Sequence, residues 1–223
     1  MKENQIVTTS DGSQTLYSPE FDQHYHSLHG AVSESLHVFI EAGLKTFNAM
    51  EIDILEFGYG TGLNAMLSWI YGKETQKIVH YTGLEAYPIS DDTIEAWTSN
   101  LKGEQRNMAM KLHELSWNET VVLDHHFSFR KVEILFEDFQ TPCRFDVVFF
   151  DAFSPEAQPE LWTVSIFSRI LQFLKTGGIL VTYSAKGQVR RNLVQAGFEV
   201  ERIPGPPGKR EMLRARKPEV LWA

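Results

Sequence analysis

The 223-residue chain has one cysteine, Cys143, so it has no partner for an internal disulfide. No apolar run approaches the ~20 residues that a bilayer-spanning helix needs, and charged residues interrupt the longest candidates. The opening segment MKENQIVTTSDGSQT lacks the apolar centre of a secretory signal. Together these absences set the expectation of a soluble cytoplasmic protein without a membrane partner. Internal repeats, low-complexity tracts and Gly/Ser-rich linkers are also missing, which favours one compact domain over a string of modules. Positive charge is scarce: 21 Lys and Arg face 29 Asp and Glu, a net charge of -8, which argues against a protein that coats nucleic acid nonspecifically. What is present suffices for a packed core, with 43% hydrophobic and 12% aromatic residues.

The charge deficit is uneven. Between Lys186 and Lys217 nine basic residues face three acidic ones, so this stretch carries +6 and the remainder -14. One end of the molecule is thereby suited to an anion, whereas a merely solvated charged face is the plainer reading.

Hydrophobic periodicity predicts a helix over Glu34–Phe47 capped by Ser33, followed by alternating strands and helices. Strands are expected at Ile52–Phe57, Ile78–Leu84, Val132–Phe136 (paired with Phe127–Arg130), Phe145–Phe150, Gly178–Tyr183, Phe198–Arg202 and Glu211–Ala215. Helices are expected at Leu63–Tyr71, Asp91–Leu101, Glu104–Leu115, Glu160–Leu174 and Gln188–Ala196. Such alternation implies right-handed crossovers and a mostly parallel α/β sheet covered on both faces. In such sheets ligands bind beyond the carboxyl ends of the strands, so chemistry is sought there.

Three of those ends carry acids. The first strand runs into EFGYGTGLN, where Gly58, Gly60 and Gly62 permit a tight turn and a close approach of the main chain to a ligand at a helix N-terminus. A dinucleotide fingerprint would need glycine at position 63, which is Leu63; with Glu56 in front, the ExGxGxG spacing is that of S-adenosylmethionine sites. Glu85 ends the second strand, where a carboxylate can accept both ribose hydroxyls. Asp138, in LFEDF, is placed to accept from the adenine amino group, and Asp151 ends the apolar run FDVVFF. Each acid alone is an ordinary strand-end residue; their coincidence with the glycine turn is specific.

Six stretches carry a closer likeness. EFGYGTGLN, GLEAYP, LFEDF, DAFSPEAQPELW, SAKGQVRRNL and GKREML, in this order, resemble the methyltransferase domain that completes the 5-methylaminomethyl-2-thiouridine modification at the wobble position of bacterial tRNA. The lead-in DGSQTLYSPEFDQHYHS and GAVSESLHVFI is similar too, so the resemblance spans roughly Asp11 to Leu213. It implies a class I, Rossmann-like α/β fold with a mostly parallel seven-stranded sheet and helices on both faces. It also implies a 1–50 extension that closes the cofactor pocket through Tyr25, ahead of a 51–223 methyltransferase domain. The cofactor implied is S-adenosyl-L-methionine, and the acceptor is the primary amine of 5-aminomethyl-(2-thio)uridine in the anticodon stem-loop. Many members continue into a flavin-dependent oxidoreductase domain. No second glycine fingerprint is present here, so FAD is not expected and the chain reads as a stand-alone form; no metal is expected either, for want of a ligand spacing.

Residue chemistry supports roles within that frame. Only the neutral form of an alkylamine, whose conjugate acid has a pKa of about 10, attacks a sulfonium methyl group. Asp151 is therefore expected to orient the amine, and either accepts its proton, directly or through water, or only aims the nitrogen. Phe153 offers a face for a flipped uracil, with Pro155 and Pro159 stiffening its loop and Trp162 anchoring it. Lys186, Arg190, Arg191, Lys209 and Arg210 are candidate phosphate contacts. His24, His26 and His29 crowd one loop without the spacing of a zinc site. An aminopropyltransferase of the same fold, or a non-catalytic tRNA-binding module, are the rival readings.

Overall fold

Residues 5–24 form a small antiparallel sheet of β1 (Gln5–Thr8), β2 (Gln14–Ser18) and β3 (Gln23–His24) in the computed structural model, which describes residues 3–219. Helix α1 (Ala31–Ser35) follows and runs on into a π-helical turn over Leu36–Glu41. The helix starts two residues before the expected Ser33 cap because the cap comes from the β1–β2 turn. Ser13 Oγ accepts from the backbone of Ala31 and Val32 at 3.1 and 3.3 Å, and Asp11 accepts from Ser33 N at 3.2 Å and Ser33 Oγ at 2.7 Å. Burial opposes ionisation of Asp11, yet hydrogen bonds from Ser13, Ser33 and Thr9 hold its carboxyl well below the ordinary carboxylate range.

The remaining elements alternate: β4 (Glu51–Phe57), α2 (Leu63–Thr75), β5 (Ile78–Glu85), α3 (Asp91–Thr98), α4 (Gly103–Glu114), β6 (Thr120–Asp124), β7 (Phe127–Glu133), β8 (Phe145–Phe150), α5 (Val164–Phe173), β9 (Leu174–Thr182), α6 (Gly187–Gln195), β10 (Glu199–Pro204) and β11 (Glu211–Arg216). The sheet order is β10-β11-β9-β8-β4-β5-β7-β6. Strands β7, β5, β4, β8 and β9 are parallel; β6, β11 and β10 are antiparallel to their neighbours. The mostly parallel α/β sheet is as expected, and the order in which strands are added reverses at β4, between β5 and β8.

Two expectations change. The sheet has eight strands, not seven, because Thr120–Asp124 pairs in a hairpin with Phe127–Glu133. His126 N donates to Asp124 Oδ1 at 2.8 Å, an Asx turn that closes the hairpin at His125 and His126. The strand placed at Val132–Phe136 is the tail of β7, and the chain turns after Glu133. The helix expected over Glu160–Leu174 also divides. A 3-10 turn covers Pro159–Trp162, Thr163 Oγ1 then caps α5 by accepting from Ile166 N at 3.4 Å, and Leu174 already belongs to β9.

Apolar packing covers both faces, as a buried parallel sheet requires. Phe149 faces Phe39 and Tyr81 on one side of β8, while Phe150 meets Phe57, Trp162 and Phe167 on the other. Among the described residues no helix is long and apolar enough to cross a membrane.

Candidate active site

At the switch point the main chain is drawn tightly together. Gly58 N and Tyr59 N both donate to Leu84 O, at 3.1 and 2.9 Å, and Asp151 N donates to Phe57 O at 2.9 Å. The glycine turn is thus tied to the ends of β5 and β8. Gly58 has φ +91°, and a Cβ there would sit 2.6 Å from Asp151 O, so both conformation and space demand glycine. At Gly60, with φ +51°, a Cβ would press to 3.0 Å on the Tyr25 ring. Tyr25 therefore lies directly over the glycine turn. Gly62 is the N-cap of α2.

The acids sit at different depths. Glu85 accepts from Gly60 N and Tyr87 N, both at 2.9 Å, one on each carboxylate oxygen. It is half-buried, and burial raises its pKa despite those bonds. Glu56 is fully buried beneath the turn, with its pKa pushed up to about 8 by burial. Asn64, in the first turn of α2, joins Glu56 to Asp151: its Nδ2 donates to Glu56 Oε1 and to Asp151 Oδ2, both at 2.8 Å. Burial, with Glu56 and Glu34 nearby, raises the Asp151 carboxyl well above the ordinary range, opposed by Asn64 and Lys209.

A cavity opens over this edge, lined by Phe21, Tyr25, Gly58, Gly60, Glu85, Asp151 and Phe153 among others. Of the expected cofactor residues, Tyr25, Gly58, Gly60, Glu85 and Asp151 line it. Glu56 and Gly62 stand behind the wall. Asp138 is exposed and outside the lining, because residues 134–138 turn after β7; Leu135, Phe136 and Glu137 face the cavity there instead.

Phe153 does not present a free face to a base. It stacks on Phe21 at 4.6 Å and meets Tyr25 edge-on at 5.0 Å, and these three rings wall one side of the cavity. Trp162 anchors the loop as expected, its Nε1 donating to Phe153 O at 2.8 Å.

Behind the Tyr25–Phe153 wall lies a second cavity lined by His24, His26, Glu34, Ala152, Ser154, Tyr183 and Lys209, and a third follows with Ser154, Tyr183, Lys186, Lys209 and Arg210. Shared wall residues set the three side by side along the ends of β8, β9 and β11. The five basic candidates separate here. Arg190, Arg191 and Arg210 are exposed. Lys186 pairs with Glu156, and Lys209 Nζ donates to the buried Glu34 at 2.6 Å, so neither is a free cation. The histidines do not converge: His24 packs on Tyr17, His26 turns to Thr15, and His29 lies against Gly208.

A glycine turn that forbids side chains, a half-buried acid at the next strand end and an open cavity between them fit a nucleoside with an amino acid tail. A family model described as S-adenosyl-L-methionine-dependent methyltransferase matches residues 90–218, more than half of the chain. The chain belongs to this family. It is 32% identical over 218 residues to the tRNA 5-methylaminomethyl-2-thiouridine biosynthesis bifunctional protein MnmC of Paracidovorax citrulli (strain AAC00-1), covering 90% of this chain and 34% of that protein. The MnmC of Campylobacter hominis is 30% identical over 213 residues, covering 90% of this chain and 31% of that protein. The chain thus spans about a third of the length of these curated relatives. The crystal structure of MNMC2 from Aquifex aeolicus matches with a TM-score of 0.80 at 26% identity, covering 97% of this chain and 71% of that one. Spermidine synthase from Thermotoga maritima, at 12% identity and a TM-score of 0.57 over 97% of this chain and 70% of that one, shares the fold alone.

Four residues of this methyltransferase escape a reading of sequence motifs: Asn64, Glu34, Tyr183 and His113. Asn64 is the last residue of EFGYGTGLN, and an amide there has no motif signal beside the glycines and Glu56. His113 of α4 is half-buried and lies 2.8 Å from Thr61 O, bracing the glycine turn from behind; desolvation lowers its pKa to about 4, so the ring is neutral and donates to that carbonyl. Glu34, Tyr183 and Lys209 meet only through tertiary packing.

Proposed function

We propose that this chain transfers a methyl group from S-adenosyl-L-methionine to the primary amine of 5-aminomethyl-(2-thio)uridine at the tRNA wobble position. The observation that carries the reading is the position of Asp151: it lines the cofactor cavity, its neighbour Ala152 also lines the second cavity, and the adjoining third cavity is lined by Lys186 and Arg210. The likeness to the MnmC proteins over nine-tenths of the chain supports the same acceptor.

The glycine turn holds the amino acid portion of the cofactor, Glu85 takes the ribose hydroxyls, and Phe21 and Tyr25 of the N-terminal segment close over it. When bound, the cofactor supplies an electrophilic methyl group on a positively charged sulfur. The chain's own task is to deliver a neutral amine in line with that methyl. Alignment contributes on the order of several kcal/mol to such a transfer. The raised affinity of Asp151 for a proton also makes it a better base than an ordinary aspartate, and Asn64 fixes the direction of its carboxylate. A sulfonium-to-amine transfer changes no oxidation state, so the reaction calls for neither flavin nor metal.

The partner on this reading is the anticodon stem-loop, in the cytoplasm, with Arg190, Arg191 and Arg210 meeting its phosphates. An aminopropyltransferase is disfavoured because its polyamine substrates are cations and the segment Lys186–Lys217 carries a net charge of +6. The test is incubation of the purified protein with labelled S-adenosylmethionine and bulk tRNA from a strain lacking it, followed by nucleoside mass spectrometry. Label is expected on 5-methylaminomethyl-(2-thio)uridine; cofactor binding with no label on that nucleoside would overturn the reading.

A further inference from the structure

The second cavity contains an ion pair that the proposed chemistry leaves unused. Glu34, 6% exposed on α1, accepts from Lys209 Nζ at 2.6 Å through one oxygen and from Ser27 N at 2.7 Å through the other. The Lys209 ammonium also lies 4.2 Å over the Tyr183 ring, and Tyr183 OH donates to Ala152 O at 2.9 Å. Taking two charges out of water is costly, and an apolar pair would join α1 to the β10–β11 turn as well. This pair is not sealed off: both partners line the cavity. A carboxylate has about four acceptor positions and an ammonium three donors, so each keeps hydrogen-bonding capacity to spare.

The walls define what fits there. Tyr25, Phe153 and Tyr183 border one space as an apolar surround for a flat ring, with Phe21 covering one face of Phe153 and Lys209 one face of Tyr183. At the edge of that space an acceptor and a donor stand side by side. A uracil edge offers the complement, N3–H to donate and O4 to accept. A cytosine offers an acceptor at N3 and a donor at N4, which opposes both groups.

We propose that Glu34 and Lys209 read the base, Glu34 accepting from uracil N3–H and Lys209 donating to O4. The inference rests on the tRNA uridine reading above and adds its specificity determinant. On the ring, N3–H, O4 and the C5 substituent follow one another. Anchoring the first two at this pair therefore fixes where the C5 aminomethyl group points, with Ala152 and Asp151 adjoining the cavity. The same contact selects the base and aims the amine.

The test uses anticodon stem-loop RNAs carrying either 5-aminomethyluridine or 5-aminomethylcytidine at the target position, with kcat/KM for methyl transfer as readout. Wild-type protein is expected to favour the uridine by about tenfold or more, the discrimination of one well-formed pair of base-edge contacts. The double variant Glu34→Gln/Lys209→Met removes both charges and leaves neither orphaned. It is expected to lose about tenfold or more on the uridine RNA and to bring the ratio near one, with cofactor affinity by calorimetry within about twofold of wild type. The charge-swapped variant Glu34→Lys/Lys209→Glu keeps an ion pair in the same place but reverses the donor and acceptor, so it is expected to regain thermal stability without regaining the uridine preference. Preserved preference in the first variant, or full recovery of preference in the second, would show that the pair is only a staple and overturn the proposal. A wild-type protein that methylates neither RNA while binding cofactor would instead remove the tRNA reading on which the proposal stands.

Discussion

Asn64 donates a 2.8 Å hydrogen bond to Asp151 across 87 positions of sequence, and the same nitrogen bonds the buried Glu56. A neutral amide between two carboxylates lets both lie close without a cation. Asn64→Ala leaves the buried Glu56 and the half-buried Asp151 facing each other, and a hydrogen bond to a charged group is worth about 1.5–3 kcal/mol. The expected result is a loss of roughly ten- to a hundredfold in kcat, read in single-turnover assays, with a smaller effect on cofactor affinity. Asn64→Asp adds a third carboxyl and is expected to be worse than alanine.

Gly58 and Gly177 separate strain from space. Both have positive φ, +91° and +74°, but a Cβ at Gly58 meets Asp151 O at 2.6 Å whereas Gly177 has open space around it. Gly177→Ala is expected to cost only the left-handed backbone penalty of about 1–2 kcal/mol. Gly58→Ala adds displacement of the Asp151 main chain and is expected to abolish cofactor binding as well. Urea unfolding and calorimetric titration with the cofactor distinguish the two.

The pH dependence of stability carries the mark of Glu56. Its pKa is 4.5 unperturbed and about 8 in the fold, so between these values the folded state holds a proton that the unfolded chain has lost. That contribution is complete below about pH 4.5 and declines as pH rises toward 8. Glu56→Gln mimics the protonated form and is expected to flatten the decline, so the variant compares more favourably with wild type at pH 8.5 than at pH 5. Denaturant midpoints at the two pH values check this; equal differences at both would contradict it.

Basic residues divide by partnership. Among the described residues Arg190 and Arg210 form no salt bridge, whereas Lys186 pairs with Glu156. Replacing either arginine by alanine is expected to reduce the salt slope of tRNA binding by about 0.7–0.9. Lys186→Ala is expected to change it less, because its charge is already compensated. Fluorescence binding across a salt series gives the slopes.

Where the sequence was legible, one local rule decided the outcome. Ile52–Phe57 and Phe145–Phe150 are apolar runs bounded by polar residues, and both are strands buried on two faces, with the glycine turn and Asp151 at their ends as expected. Strand-end acids were harder to rank. Asp138 has the same composition cue as Glu85, but β7 ends five residues before it, so it turns outward. Phe153 illustrates a different limit: an aromatic in a loop looks available to a ligand until its partners are known, and here Phe21 and Tyr25 cover it. Lys209 read as a free cation because Glu34 lies 175 positions away. Ion pairs between distant segments leave no periodic trace, and neither does the Asn64 bridge to Asp151.

The most direct test of the account is single-turnover methyl transfer to an anticodon stem-loop with 5-aminomethyl-2-thiouridine at the wobble position, comparing wild type with Asp151→Ala at saturating cofactor. The account predicts conversion to 5-methylaminomethyl-2-thiouridine by the wild-type protein, with a rate that rises with pH as the amine and Asp151 lose their protons, and a loss of at least a hundredfold, on the order of 10²–10⁴, in the variant. Near-normal turnover by Asp151→Ala, or transfer to any group other than the aminomethyl nitrogen, would contradict it.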